Sequence, residues 1–150
     1  MAKIPRRITK EVARLTKNPV QGIKVEQSKE NLRHFFLYIE VPKETSYEGG
    51  EFKLELYLTK DYPMKPLKIR FITRIYHPNV DRLGRICLDI LKREWSPALQ
   101  IRTVCLSLQV LLQAPEPDDP LDNNVADLWK SDIKKAHRNA RDWTRKYATK

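Results

Sequence analysis

The sequence predicts an α+β fold, in which an N-terminal helix precedes a four-stranded antiparallel meander sheet, a long irregular loop, a crossover helix and two C-terminal helices. Three observations carry this prediction. Apolar residues recur at three- and four-residue steps near both ends of the chain, apolar and polar residues alternate between positions 23 and 73, and neither period continues from His77 to Leu91. A chain of 150 residues is long enough to form one domain, over residues 1–150, around its own core.

The first helix is predicted over residues 5–17, because Pro5 suits a first helical turn and Asn18-Pro19 ends the pattern. Its apolar stripe consists of Ile4, Ile8, Val12 and Leu15. We expect its basic residues to face outward, either as solvated surface or as a docking surface for an acidic partner. They are Arg6, Arg7, Lys10, Arg14 and Lys17.

Four strands are predicted, at 23–27, 33–40, 51–59 and 68–73. The residues expected to face the core are Phe35, Leu37, Ile39, Phe52, Leu54, Leu56, Leu58, Ile69 and Phe71. Short turn-rich connections favour antiparallel pairing. The opposite face keeps Phe36, Tyr38 and Tyr57, so we expect another protein to cover part of it.

A second helix is predicted at about 99–113, and its two sides differ. Its buried stripe consists of Ile101, Val104, Cys105, Leu108, Leu111 and Leu112. Cys105 is therefore interpreted as a small core residue. Leu106 and Val110 lie on another side, where they form either a secondary core contact or an exposed apolar strip for a partner.

Three prolines between positions 115 and 120 exclude a helix or a ladder strand there. Asp122 or Asn123 is predicted to cap the next short helix, and Ser131 to cap the last one. The short helix is expected to bury Val125, Leu128 and Trp129. The core stripe of the last helix is predicted to be Ile133, Ala136, Ala140, Trp143 and Tyr147.

Composition limits the classes of function. Two cysteines are too few for a disulfide framework and show no metal-ligand spacing, and no apolar run supports a signal peptide or a membrane span. We therefore expect a soluble protein of the cytoplasm and nucleus with no membrane partner. The net charge of +10 leaves a nucleic-acid surface open, but no recognised nucleic-acid motif is present. A basic surface spread around the molecule is favoured, and nucleic acid is not an expected partner.

The loop from His77 to Leu91 holds the candidate nucleophile. Pro78 prevents a helix at His77, Gly84 permits an unusual backbone twist, and Cys87 follows it. A thiolate attacks carbonyl carbons and makes a labile thioester, so Cys87 suits carrying an acyl group as well as hydrolysing one. His77 is the only histidine close in sequence, and a structural role in the loop is favoured over a general base.

Two further side chains are candidates for the same chemistry. Asn79 either donates a hydrogen bond to a developing oxyanion or bonds the backbone of its own loop. Asp119, or Asp118 beside it, would orient an incoming amine or help to remove its proton. The alternative for this pair is a solvated acidic turn.

Five motifs, in this order, resemble the family of ubiquitin-conjugating enzymes, and together they cover essentially the whole chain. They are Tyr62-Pro63 with Pro66; His77-Pro78-Asn79; Gly84 with Ile86-Cys87-Leu88; Trp95-Ser96-Pro97-Ala98; and Pro117-Asp118-Asp119-Pro120-Leu121. The predicted order of helices and strands also matches that fold, with the long loop as its active-site loop.

The resemblance implies an acyl carrier. Cys87 would receive the C-terminal glycine of ubiquitin as a thioester from the ATP-driven activating enzyme and pass it to a lysine amine. Asn79 would support the oxyanion or the loop, Asp119 would position the acceptor lysine, and Leu121 would border the site. The chain itself would need no metal or cofactor, since ATP is used by the activating enzyme.

The resemblance also implies docking surfaces. The activating enzyme and RING-type ligases would contact Arg6, Arg7, Lys10, Met64, Ser96 and Pro97. The donor ubiquitin would lie against Leu106 and Val110.

A closer resemblance, carried by residues 4–8, 48–50 and 85–92, is to the members that build lysine-63-linked chains (a linkage counted along ubiquitin). These act as heterodimers with a catalytically inactive variant conjugating enzyme, which here would contact Glu55, Tyr57 and Arg70. The basic last helix departs from that pattern, as do Ser46, Tyr57, Leu67, Cys105 and Asn124. The alternatives are a conjugating enzyme of other linkage, a non-catalytic module of this fold, and a basic nucleic-acid-binding module.

Overall fold

The computed structural model describes residues 4–149, which form four α-helices and one four-stranded sheet. The elements are α1 (Arg6–Lys17), β1 (Ile23–Gln27), β2 (His34–Glu40), β3 (Glu51–Tyr57), β4 (Lys68–Phe71), a 3₁₀ turn (Asp89–Leu91), α2 (Ile101–Gln113), α3 (Asn123–Ser131) and α4 (Ile133–Tyr147). The strands lie in the order β1-β2-β3-β4, and each neighbouring pair is antiparallel. The predicted α+β fold with a meander sheet is confirmed.

One face of the sheet forms the core. The inward side chains of β2 and β3 are no more than 1% exposed; they are Phe35, Leu37, Ile39, Phe52, Leu54 and Leu56. Strand β4 is shorter than predicted, because the backbone N–H groups of Ile72 and Thr73 both donate to the Lys53 carbonyl. The outward face keeps the partly exposed Phe36, Tyr38 and Tyr57, as predicted.

Helix α2 crosses the core with its predicted stripe inward: all six of those residues are buried. Cys105 is fully buried, and burial raises the pKa of its thiol to about 12. Leu106 and Val110 are 45% and 62% exposed, so they form an exposed apolar strip and not a secondary core contact, and the partner for that strip stays a prediction. None of the helices within residues 4–149 is long and apolar enough to cross a membrane.

Helix α4 corrects two predictions. Asp132, not Ser131, caps it by accepting a hydrogen bond from the Lys135 backbone N–H, while the Ser131 hydroxyl donates to the Asp127 carbonyl. Ile133 is 52% exposed instead of joining the core. The buried side of α4 instead includes Thr144, which was not predicted there. Its hydroxyl donates to the Ala140 carbonyl within the helix.

Helix α1 buries a carboxylate that its apolar period did not reveal. Glu11 is 3% exposed and accepts hydrogen bonds from the Tyr62 hydroxyl, the Arg7 guanidinium and the Ile101 backbone N–H, at 2.6, 2.9 and 2.9 Å. The desolvation of this charge is offset by those three donors. Glu11 therefore joins α1 to the start of α2 and to the segment after β3.

The expectation that Arg7 faces outward is wrong. Its guanidinium donates to the carbonyls of Pro97 and Leu99 in addition to Glu11. Arg6, Lys10, Arg14 and Lys17 are exposed, as expected. Arg7 thus holds α1 against the segment before α2, and only its neighbours on the helix present free charge.

Candidate active site

The first part of the long loop, His77–Val80, is buried at every position and is called the inner segment below. His77 is fully buried and bonds through both ring nitrogens: Nε2–H donates to the Leu111 carbonyl at 3.0 Å, and Nδ1 accepts from the Asn79 N–H at 3.0 Å. Burial lowers the pKa of His77 to about 4, so its ring is neutral at pH 7. The predicted structural role of His77 is confirmed.

A tight turn connects the inner segment to the cysteine. The Asp81 carboxylate accepts from the backbone N–H groups of Leu83 and Arg85, both at 2.9 Å. Gly84 has φ +83°, and a Cβ built there would lie 2.0 Å from the Phe71 carbonyl oxygen. The turn therefore requires glycine for its backbone angle and for its contact with β4.

Cys87 begins the outer segment, Cys87–Leu91. Its backbone N–H donates to the Asn79 carbonyl at 2.9 Å, which fixes the cysteine beside the inner segment. Its Sγ lies 3.6 Å from Asp119 Oδ2 and 3.3 Å from Lys92 Nζ, and both of these partners are exposed. The thiol therefore lies at the surface between one carboxylate and one ammonium group.

The Asn79 side chain connects the loop to the proline segment. Its Nδ2 donates to the Glu116 and Asp119 carbonyls, at 2.9 and 2.8 Å, and its Oδ1 accepts from the Glu116 N–H at 2.9 Å. Asn79 is 1% exposed. Asn79 thus bonds the backbone of the proline segment and not that of its own loop, as one of its two predicted roles required, and the oxyanion role stays a prediction. Through this amide, the inner segment fixes the position of Asp119.

A cavity of about 360 Å³ opens beside the thiol, and its walls include Cys87, Asp119, Leu106 and Val110. Residues predicted separately for chemistry and for binding donor ubiquitin therefore border one space. Leu121 is 37% exposed, and its backbone N–H donates to the Pro78 carbonyl at 2.9 Å. Lys92 was not predicted at this site. The sequence shows only that it is a basic residue five positions after the candidate nucleophile.

The predicted activating-enzyme and ligase residues are grouped at one end of the molecule. Met64 is 73% exposed, and Ser96 and Pro97 are also exposed. The Trp95 indole N–H donates to the Pro63 carbonyl at 2.9 Å, which joins the two segments that carry these residues. The Arg7 bonds bring α1 to the same place.

The predicted variant-partner residues lie together on the outer face of the sheet. Glu55 bonds Arg70 at 2.9 Å and the His34 ring at 2.8 Å, and it lies on the strand that also carries the 38%-exposed Tyr57. Hydrogen bonds, first from His34 and then from Arg70, lower the pKa of the Glu55 carboxyl. His34 was not predicted as part of this cluster, because its bond with Glu55 depends on the pairing of β2 with β3.

Within residues 4–149 we find no group of three or more histidine, cysteine or carboxylate side chains placed to hold a metal ion. The chemistry that this site supports with its own groups is acyl transfer through the half-buried thiol of Cys87. The Asp119 carboxylate, 3.6 Å from the sulfur, lies within reach of an amine that attacks the carbonyl carbon of an acyl group carried there.

Comparison with known proteins agrees with this reading of the site. Residues 7–144 match the family described as "Ubiquitin-conjugating enzyme". The chain therefore belongs to the ubiquitin-conjugating enzymes, transferases that work through a thioester intermediate.

Individual relatives cover nearly the full chain. A Drosophila melanogaster protein named ubiquitin-conjugating enzyme E2 N is 60% identical over 148 residues, which are 99% of this chain and 98% of that protein. A Schizosaccharomyces pombe protein named ubiquitin-conjugating enzyme E2 13 is 57% identical over 145 residues, 97% of this chain and 98% of that protein. A Saccharomyces cerevisiae protein, also named ubiquitin-conjugating enzyme E2 13, is 57% identical over 150 residues, 100% of this chain and 98% of that protein.

Proposed function

We propose that Cys87 carries ubiquitin as a thioester and transfers it to a lysine amine of a second ubiquitin, building lysine-63-linked chains together with a variant partner. The observation that carries the proposal is the half-buried Cys87 thiol in the wall of a cavity shared with Asp119, Leu106 and Val110. The activating enzyme, which uses ATP, would supply the ubiquitin. RING-type ligases would bind the end that carries Met64, Ser96 and Pro97.

The surroundings of Cys87 suit a carrier more than a hydrolase. A cysteine hydrolase pairs its thiol with a histidine base. The histidine nearest in sequence, His77, is buried and holds two backbone groups with its ring nitrogens. Among residues 4–149, no histidine lines the cavity at Cys87, so a thioester there has no histidine base to activate water and can persist until an amine arrives.

The transfer step needs a group that receives a proton. When a lysine nitrogen attacks the thioester carbonyl, a C–N bond forms, the C–S bond breaks, and Cys87 leaves as thiolate. The attacking amine must lose a proton, and the Asp119 carboxylate, 3.6 Å from the sulfur, is placed to orient that amine and to accept the proton, which then passes to the leaving thiolate or to water. Lys92, 3.3 Å from the sulfur, would favour the departing thiolate.

Asn79 is proposed as a positioning residue. Both of its amide N–H groups are used by the proline segment, so they hold Asp119 in place and do not point to free space near the sulfur. An oxyanion role would require one of these hydrogen bonds to open. The positioning role needs no such change.

The linkage and the variant partner rest on the resemblance and on the sheet surface. Tyr57 is an exposed aromatic beside the Glu55–Arg70 ion pair, and an interface of this kind combines an apolar anchor with a polar rim. The relatives named E2 N and E2 13 cover this strand at 57–60% identity overall.

A charging assay tests the carrier role. Wild-type protein incubated with activating enzyme, ATP and ubiquitin should form an adduct that reducing agent removes, and Cys87→Ser should form one that survives reducing agent. Cys105→Ser is the matched control, because Cys105 is fully buried, and it should charge like wild type. The proposal would be contradicted if wild-type protein formed no adduct, or if its adduct persisted in reducing agent.

A linkage assay tests the rest. Charged protein mixed with a variant conjugating enzyme and with ubiquitin that has arginine in place of lysine 63 should stop making chains, while wild-type ubiquitin should support them. Tyr57→Ala should remove heterodimer formation and chain building but leave charging intact. Chains of another linkage, formed without a variant, would instead identify a conjugating enzyme of other linkage.

A further inference from the structure

Helix α4 carries half of the protein's net charge. Its fifteen residues include six lysines and arginines and one aspartate, a net of +5, out of +10 for the whole chain. The sequence analysis favoured a basic surface spread around the molecule. The structure instead concentrates much of it on one helix, and neither the thiol site nor the proposed docking surfaces use that helix.

Four of these charges form a row. At 100° per residue, Lys134, Arg138, Arg141 and Arg145 fall within a sector of about 60° and span about 16 Å along the helix axis. All four are exposed. No carboxylate among residues 4–149 forms an ion pair with any of them. The row is therefore a line of positive charge on a rigid element with no carboxylate at ion-pair distance.

The cleft beside the row limits what can bind there. A cavity of about 660 Å³ lies between α4 and the loop that precedes β3, with the Ser46 hydroxyl bonded to His137 Nδ1 within its lining. Its other wall carries Glu44 and Glu48, which would repel a phosphate placed deep in the cleft. The anion that fits is thus an extended one that follows the outer edge of α4, not a compact phosphate compound in the cavity.

We propose that the α4 row binds the phosphate backbone of nucleic acid without reading its sequence. Each of the four cations can contact one phosphate of an extended single strand, so the row can neutralise about four phosphates. Arginine forks bind phosphate oxygens in pairs, and three of the four residues are arginines. Binding of this kind is electrostatic and needs no apolar contact.

The two other polyanionic partners fit the row less well. A protein partner needs apolar or aromatic anchors at the centre of its interface. The one large exposed apolar residue of α4, Ile133, is turned about 100° away from Lys134. A membrane would need an apolar helix face to insert, and the corresponding face of α4 is packed in the core through Ala136, Ala140 and Thr144.

The test is fluorescence anisotropy of a labelled 20-nucleotide single-stranded DNA over a range of salt concentrations. For four phosphate contacts, the slope of log affinity against log salt should be about −2.8. The variant R138Q/R141Q/R145Q should flatten the slope to about −0.7 and weaken binding about 100-fold at 0.1 M salt. The matched control is K24Q/K29Q/K60Q, which also lowers the net charge from +10 to +7 and should bind within about twofold of wild type.

Each other result has a defined meaning. Equal losses in both triple variants, or no binding by wild type, would overturn the proposal. It would also be overturned if polyglutamate at equal charge displaced the DNA equally well, or if phosphatidylserine vesicles captured the protein and DNA did not. The row variant should still charge with ubiquitin. If it does not fold, the single variant R138Q should flatten the slope by about 0.7.

Discussion

The inner segment, His77–Val80, and the outer segment, Cys87–Leu91, belong to one loop but have opposite surroundings. Every residue of the inner segment is buried, and its polar groups bond the backbone of α2 and of the proline segment. The outer segment places its sulfur at the surface between two exposed, charged side chains. The two segments are connected by the Gly84 turn and by the bond from the Cys87 N–H to the Asn79 carbonyl.

This difference separates stability from chemistry. Groups that are buried and fully hydrogen-bonded contribute to the free energy of unfolding, and their removal lowers it by kilocalories per mole. Exposed groups near the sulfur contribute little to stability and are free to contact a substrate. We therefore expect changes in the inner segment to lower stability, and changes of the exposed charged groups beside the sulfur to lower transfer alone.

The largest effect should come from Gly84→Ala, which breaks the turn between the segments. The new Cβ would meet the Phe71 carbonyl at 2.0 Å in a backbone conformation that alanine resists. We expect a loss of about 4 kcal/mol in urea unfolding. Gly49→Ala is the control, since Gly49 has a similar φ of +78° but no atom within 4 Å of the added Cβ. It should cost about 1 kcal/mol, and equal costs would show that the contact with Phe71 is unimportant.

His77 should give the next largest effect, through pH. Its pKa is about 4 in the folded protein and 6.5 in the unfolded chain. The unfolded state therefore binds more protons below pH 6.5, and stability is lost as the pH falls from about 6.5 to 4. The loss from this group should be about 3 kcal/mol.

His77→Gln checks this by removing the titrating group. The variant should be less stable than wild type at pH 7, because the ring and its stacking on Tyr47 are lost. The difference in unfolding free energy should shrink by about 3 kcal/mol between pH 7 and pH 4. A difference that does not change with pH would mean that His77 does not titrate in this window.

Asn79→Ala should have an intermediate effect. It removes three hydrogen bonds to the proline segment, so we expect a loss of about 2 kcal/mol and a misplaced Asp119. In single-turnover assays, transfer to lysine should fall by about tenfold or more while charging by the activating enzyme changes less. If charging and transfer fell equally, the positioning role would be lost.

The smallest stability effect should come from Asp119→Asn, because this side chain is exposed. The free energy of unfolding should stay within about 0.5 kcal/mol of wild type. Transfer to lysine should nevertheless fall about 10- to 100-fold, with partial recovery at high pH where the amine loses its proton unaided. The matched variant Asp118→Asn changes a neighbouring carboxylate that pairs with Lys130, and it should transfer normally.

Burial was predicted best from the sequence where it depends only on a residue's position in its own helix or strand. All six residues of the α2 stripe are buried as predicted, because a helix with one apolar side has one way to pack. Ser131 and Asp132 are adjacent and both can cap, so the period could not distinguish them, and Ile133 then fell outside the stripe.

Residues whose partners lie far along the chain were beyond prediction. In the sequence, Glu11 is only a polar residue in an apolar stripe. Its hydrogen bonds come from Tyr62 and Ile101, which only the fold brings close to it. Asn79 bonds groups 37 and 40 positions away, so sequence alone left both of its roles open. The position of Cys87 between Asp119 and Lys92 has the same origin, because only the fold brings the proline segment to the loop.

The Gly84 turn also covers the free edge of the sheet at β4. Strand β4 would otherwise present unpaired backbone groups, but the Phe71 N–H donates to the Gly84 carbonyl at 2.8 Å, and Arg70 forms a bridge with Arg85. The opposite edge, β1, is short and carries the exposed charges of Lys24 and Glu26. A sheet edge with unpaired and unprotected backbone groups is a template for self-association. Loosening the turn would therefore expose a surface prone to aggregation, and loss of solubility would accompany loss of the catalytic geometry.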